Sequence, residues 1–393
     1  MTAMHADSEA SRLEKAEDLR QLRESAEDFA SRASPLVRAR GLRGTALGYD
    51  RAFWDALVEQ GWTGLLAPQE CGGFAQGFAA AAVIVDALAM QLAPEPFVPA
   101  VVFAGRAIEL SGGGPVHAEL LQDLVGGKSI PVVAFEEQSI ATAVDLTPRT
   151  VRAEKFSGGW RISGTKFNVR AAAGADGFVV SASLPTGSQS LFWVPVASAG
   201  VAVESRQTTD GGDSATLALD GVVVPDRHLL SQGSRAEEAL TRAFDEALVM
   251  TSVELLAIQR AMFAMSLDYL RNRVQFGRPI GSFQTLQHRA VDLLIQKELT
   301  AAALGEIVER LDHEGAPRMR SRDASRAKAR AAAAAVQIAK DSVQFHGAIG
   351  YTDEFDLGLY VQRTIVLSAW LGNAWMHRRR FAALDNVTEG AQA

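Results

Sequence analysis

With 393 residues, 48% of them hydrophobic and 22% charged, the chain has the make-up of an ordinary soluble globular protein large enough for two or three domains. A formal net charge of -7 argues against general nucleic-acid binding. The single cysteine, Cys71, excludes an internal disulfide and fits a reducing, cytoplasmic setting. No membrane association is expected either, because the most apolar run, Phe78 to Leu92, is interrupted by Asp86 and is too short to span a bilayer.

The first 130 residues read as helical. Residues from about 12 to 40 carry Ala, Leu, Arg and Glu at helical spacing. From Arg51, the residues Phe53, Leu57 and Val58 form one apolar stripe that Gly61 ends. Phe78 to Met90 is apolar nearly all round and is expected to be buried, and Trp54 and Trp62 are expected in the core.

At Pro131 the pattern changes to short strand-like runs, V-V-A-F through A-T-L-A-L-D-G-V-V-V-P, separated by Gly, Asp, Pro and Ser. Gly158-Gly159 before Trp160 signals a hairpin, and six or so runs over about a hundred residues fit a small β-barrel or sandwich. Helical periodicity returns near Arg235. Leu286, Ala290, Leu293, Leu304, Val308 and Leu311 share one face, Ala324 to Gln344 is rich in alanine, and a last segment is predicted from about Phe355 to Ala383. The predicted fold class is therefore α+β and mostly helical: an N-terminal α domain (1–130), a middle β domain (131–233) and a C-terminal four-helix bundle (234–393).

Neither Gly nor Pro occurs from Ser234 to Phe276, so a long helix is expected before Gly277 and Pro279 stop it. Arg271, Arg273 and Arg278 crowd that stop, and a new helix begins just after Phe283 and Gln284. Cations at a helix C-terminus suit its dipole. A tight elbow of Arg, Gln and aromatic side chains also suits a dinucleotide phosphate gripped by a guanidinium fork. The basic runs at Arg318 to Arg330 and His377 to Arg380 are read first as solvated helix faces.

The string R-V-Q-F-G-R-P-I-G-S-F-Q resembles the R-x-Q-F-G-x-P-I-x-x-F-Q elbow of the acyl-CoA dehydrogenase family of flavoproteins, and the order of the three domains is similar to that family's over nearly the whole chain. The resemblance implies α,β-dehydrogenation of an acyl-CoA thioester with FAD as cofactor. A carboxylate removes the α-proton and the flavin accepts the β-hydride. It further implies that Arg273, Gln275, Phe276 and Phe283, with Gln344 and Gly347 of V-Q-F-H-G-A-I-G-Y, bind the adenosine pyrophosphate of a neighbouring subunit's FAD. His346 is implied as a packed or FAD-edge residue. A homo- or hetero-oligomer, dimer or tetramer, follows, as does an electron-transfer flavoprotein as acceptor.

Several positions depart from the family pattern. Trp370, Leu371, Gly372 and Asn373 stand where Y-E-G-T is usual, so Leu371 occupies the position of the catalytic base. Ala247 occupies the alternative base position. Glu246 is one residue and 100° of helix away, and Glu254 is two turns on, about 10 Å along the axis. Either is a candidate displaced base. The competing structural reading has Glu246 solvated and Glu254 paired inside the bundle. Glu136 replaces a small hydroxyl, Asn168-Val169-Arg170 replaces W-I-T, and Ala348 stands for a second glycine.

This pattern resembles the small, base-less subunits of heteromeric acyl-CoA dehydrogenases of fatty-acid or sterol side-chain degradation. T-T-D-G-G-D-S-A-T-L-A-L-D-G-V-V-V-P reads like that subgroup too. A homo-oligomeric flavoenzyme with a displaced base, a flavin monooxygenase on this fold, and a non-catalytic structural relative are the alternatives.

Overall fold

Apolar periodicity sets the helices of the first third. A computed structural model describes residues 2–386 apart from 114 and 314, with side chains from residue 14 onward. Six helices come first: α1 (Thr2–Ala33), α2 (Leu36–Leu42), α3 (Arg51–Glu59), α4 (Gly77–Met90), α5 (Gly105–Ser111) and α6 (Pro115–Val125). The Asp50 carboxylate caps α3 by accepting from Ala52 N at 3.0 Å, and Phe53, Trp54 and Leu57 are buried on its inner face. Helix α4 is buried nearly all round, as its composition requires. Its N-terminal amide, Phe78 N, donates to Asp312 at 2.6 Å, from a residue far along the chain. A π-helical stretch, Phe97–Ala104, is buried throughout and leads into α5.

One sheet follows: β1 (Pro131–Ala134), β2 (Arg152–Phe156), β3 (Gly159–Arg170), β4 (Gly177–Ser183), β5 (Gln189–Pro195), β6 (Val201–Gln207), β7 (Asp213–Val224) and β8 (Leu229–Gln232). Its order is β6-β7-β3-β2-β4-β5-β8, with β1 laid parallel on β4. The expected hairpin joins β2 to β3, with Phe156 opposite Gly159. Burial alternates along β7, one face packed and one wet, whereas β4 and β5 are buried on both faces. The short β8 was not anticipated from the sequence.

The C-terminal third is α7 (Ser234–Asn272), a small hairpin of β9 (Val274–Gln275) and β10 (Arg278–Pro279), α8 (Gln284–Leu311), α9 (Pro317–His346), α10 (Leu357–Ala369) and α11 (Ala374–Asn386). By length and composition alone α7 could cross a membrane, yet 78% of its most apolar window is buried inside the protein, which makes it the core helix. The single terminal segment expected from Phe355 to Ala383 is corrected to two helices. The chain breaks at Leu371 and Gly372, both with positive φ (59° and 101°). The basic runs are corrected as well: Lys328 and His377 are fully buried, and Arg380 pairs with Asp245 at 2.7 Å.

Candidate functional site

A cavity of about 590 Å³ opens between the sheet and the end of the bundle, a size typical of small-molecule sites. The sheet side supplies Phe135, Glu136 and Gln138 after β1, Asn168 and Arg170 at the end of β3, and Thr208. The bundle side supplies Phe244 of α7, the end of α10, and the turn Trp370–Asn373. The sequence departures at 136, 168, 170 and 371 therefore all lie on one cavity wall or another.

The loop after β1 is anchored through Glu137, which accepts from Lys166 Nζ at 2.8 Å and from the backbone N–H groups of Arg149, Thr150 and Val151. Burial opposes charge on Glu137, but the Lys166 ammonium and these N–H groups outweigh it and hold the carboxyl at about 2. Glu136, one residue earlier, lines the cavity and accepts from Asn168 Nδ2 at 2.7 Å. Arg170 is drawn aside: its guanidinium donates to Asp210 at 3.2 Å and lies 5.4 Å from the Trp370 ring centre. Asp210 also accepts from Arg363 at 2.8 Å. Although it is buried, these two cations keep its carboxyl well below the usual range.

Leu371 is 2% exposed and forms part of the cavity wall, offering no proton acceptor. Its turn is held by main-chain carbonyls. Lys328 Nζ donates to Leu367 O and to Trp370 O, each at 2.7 Å, and His377 Nε2 lies 2.9 Å from Leu371 O. Burial, reinforced by the nearby Lys328 charge, lowers His377 to about 3, so its ring is neutral and its Nε2–H donates.

Neither glutamate proposed as a displaced base lines this cavity. Glu246 is wholly buried and not solvated, a correction to that reading; it accepts from Arg106 at 2.8 Å and from Arg242 at 2.9 Å. A polar residue inside the bundle needed partners, and two arginines provide them. Glu254 lies 3.6 Å from Arg363 beside a separate void of about 20 Å³, with Arg170 bordering both that void and the main cavity. Burial pushes the Glu254 carboxyl up, and Arg363 opposes that.

The elbow takes a tighter form than the sequence suggested. Gln275 pairs with Arg278 across a two-residue turn, Phe276-Gly277, in which both residues have positive φ (53° and 78°). Phe276 is 91% exposed, and Arg278 lies 4.2 Å over the Phe283 ring. Arg273 and Gln275 are exposed, and among the described residues no carboxylate pairs with Arg271, Arg273 or Arg278.

The ends of α7 and α9 meet through Tyr269 and His346, whose rings are 4.4 Å apart. That contact puts the exposed Gln344, and Gly347 with open space around it, at the elbow's end of the bundle. His346 itself is packed, its Nδ1 2.7 Å from Ser342 O. Helix α10 starts at this end and finishes at the cavity. Its 13 residues span about 20 Å, so elbow and cavity stand apart within one chain.

A helical domain, a β sheet and a helical bundle, with a ligand-sized cleft between the last two, define the acyl-CoA dehydrogenase type of architecture. Residues 16–128 match the acyl-CoA dehydrogenase N-terminal domain and residues 238–383 the C-terminal domain, and the chain belongs to this family.

Among curated relatives it is 28% identical over 337 residues to acyl-CoA dehydrogenase FadE27 of Mycobacterium tuberculosis, covering 84% of this chain and 87% of the relative. It is 25% identical to acyl-CoA dehydrogenase IpdE2 of the same organism, covering 88% and 91%. Among solved structures it resembles a variant of the Tcur3481-Tcur3483 steroid ACAD, with TM-score 0.85 and 28% identity over 96% of this chain and 100% of the other. The ChsE4-ChsE5 complex from Mycobacterium tuberculosis gives 0.84 and 25% over 93% and 96%.

Proposed function

We propose that the chain is one subunit of an FAD-dependent acyl-CoA dehydrogenase whose proton-abstracting carboxylate comes from a related partner chain. The observation that carries this reading is Leu371: a buried alkyl side chain at the family's base position, with Glu246 and Glu254 both engaged by arginines away from the cavity. Likeness to ChsE4-ChsE5 and to Tcur3481-Tcur3483, each named as a pair, supports a heteromer. The division into residues 1–130, 131–233 and 234–393 belongs to the same reading.

The residues that suit FAD lie at the elbow. At the elbow, Arg273 and Arg278, which pair with no carboxylate among the described residues, offer guanidinium groups to a pyrophosphate, Gln275 and Gln344 offer amides, and Phe276 and Phe283 offer apolar faces to an adenosine. Because the elbow is exposed and remote from this chain's cavity, it serves a neighbour. FAD, when bound, supplies the acceptor for the β-hydride of the acyl-CoA thioester. This chain's own residues hold the phosphates and keep the Trp370–Gly372 turn rigid; they remove no proton. An electron-transfer flavoprotein is the acceptor that this reading includes.

Visible spectra test it. The chain purified alone is expected to carry little flavin and no dehydrogenase activity, and the complex with a related chain bearing the carboxylate is expected to have both. A second reading rests on the open 590 Å³ cavity: a homo-oligomeric flavoenzyme that need not remove an α-proton, such as a monooxygenase. Stoichiometric flavin in the lone chain would favour it.

A further inference from the structure

Helix α2 is seven residues long, and none of them is fully buried. So short a helix gains little from its own hydrogen bonds and stays where tertiary contacts hold it. Arginines make those contacts. Arg38 donates to the buried Glu95, which ties α2 to the rest of the first third. Arg40 donates to the Asp356 carboxylate at 2.7 Å and to the carbonyl of Asp353. Just past the helix end, Arg43 Nη2 reaches both carboxylate oxygens of Asp353, each at 2.7 Å.

The stem of Arg43 has a notch of its own. Gly211, in the turn between β6 and β7, has φ +86°, and a Cβ on it would stand 2.6 Å from Arg43 Cγ. From that notch Nη1 also donates to Gln362 of α10 at 3.1 Å. A side chain packed along its stem and bonded at both terminal nitrogens is more than a solvated surface charge.

Asp353 and Asp356 belong to the segment 347–356, which joins α9 to α10 and starts at Gly347. Of its described residues only Gly350 is buried, and Tyr351 is 83% exposed. Thr352 bonds within the segment, donating to Ile349 O at 2.9 Å. One flank rests on rings, with His346 centred 4.4 Å from Tyr269 and 5.0 Å from Phe355. Among the described residues, the side-chain hydrogen bonds that reach the segment from elsewhere are those of Arg40 and Arg43. A stretch with so little burial takes its local order from such contacts.

We propose that Arg40 and Arg43 are positioning residues for the dinucleotide grip: by holding segment 347–356 against the first third, they fix Gly347, and Gln344 beside it, at the elbow. This inference rests on the elbow reading proposed above. Neither arginine needs to touch the cofactor. Both ion pairs are partly exposed and add little to global stability, so their effect falls on local order.

Two double variants approach the contact from opposite sides: Arg40→Gln with Arg43→Gln, and Asp353→Asn with Asp356→Asn. In the purified chain, hydrogen exchange over 347–356 is expected to speed about tenfold in both, while the α7 amides and the urea midpoint stay as in wild type. Salt at about 0.5 M, which screens exposed pairs, should bring wild-type exchange there toward that of the variants. In the complex with the base-bearing partner, both variants should release FAD about fivefold faster.

Unchanged exchange over 347–356, or faster exchange without faster FAD release, overturns the proposal. Arg273→Ala, measured alongside, separates it from the elbow reading. Faster release with Arg273→Ala but not with the double variants refutes the positioning role alone. Unchanged release in all three refutes the elbow reading, and the positioning role with it.

Discussion

The ammonium of Lys328, fully buried in the bundle, donates to the carbonyl of Trp370 at 2.7 Å and so fixes the turn that places Leu371 on the cavity wall. Burial lowers this lysine to about 7, against the pull of Glu254, and the nearby Arg170 adds to the lowering. Above about pH 7 the folded protein releases this proton while the unfolded lysine keeps it until about 10.5. The unfolded state then binds more protons, so this group makes stability rise with pH over that window. Urea unfolding of wild type and Lys328→Met should show the difference between them shifting in favour of wild type from about pH 7 to about pH 10. A difference that stays flat contradicts the burial of a chargeable amine there.

Glu246 neutralises Arg106 and Arg242 at 2.8 and 2.9 Å. Glu246→Ala leaves those cations without their shared partner and is expected to cost about 3 kcal/mol in urea unfolding. At a temperature where the variant is folded, the dehydrogenase activity of the complex should persist. Loss of all activity with normal stability would make Glu246 a base after all.

Asp312, in the connection after α8, accepts from Phe78 N and so caps a helix of the first third. Asp312→Ala should destabilise the protein by about 1 kcal/mol, read as a lower urea midpoint with an unchanged slope.

The architecture was legible from periodicity. The apolar stripe at Phe53 and Leu57, the all-round apolar α4 and the strand runs from Pro131 are local patterns, and local patterns survive in one dimension. The break at Leu371 was not legible, because a leucine with positive φ carries no turn signature. It is imposed by Lys328 and His377, which are distant from it in sequence or lie beyond the turn. Lys328 was hidden in a basic run that reads as a wet face, though a lysine amid alanines was the available signal. The character of Glu136 depended on a bulge 32 residues further on, and that of Glu246 on an arginine 140 residues earlier. Tertiary partners decide such charges, and spacing alone does not reveal them.

The most direct measurement is the FAD content of the complex between this chain and its base-bearing partner, with and without Arg273→Ala. Arg273 is exposed and forms no ion pair among the described residues, so the substitution should leave folding untouched. Losing a charge-assisted contact to phosphate should weaken FAD retention about tenfold or more. Unchanged FAD content would contradict the claim that this chain's elbow grips a neighbour's cofactor.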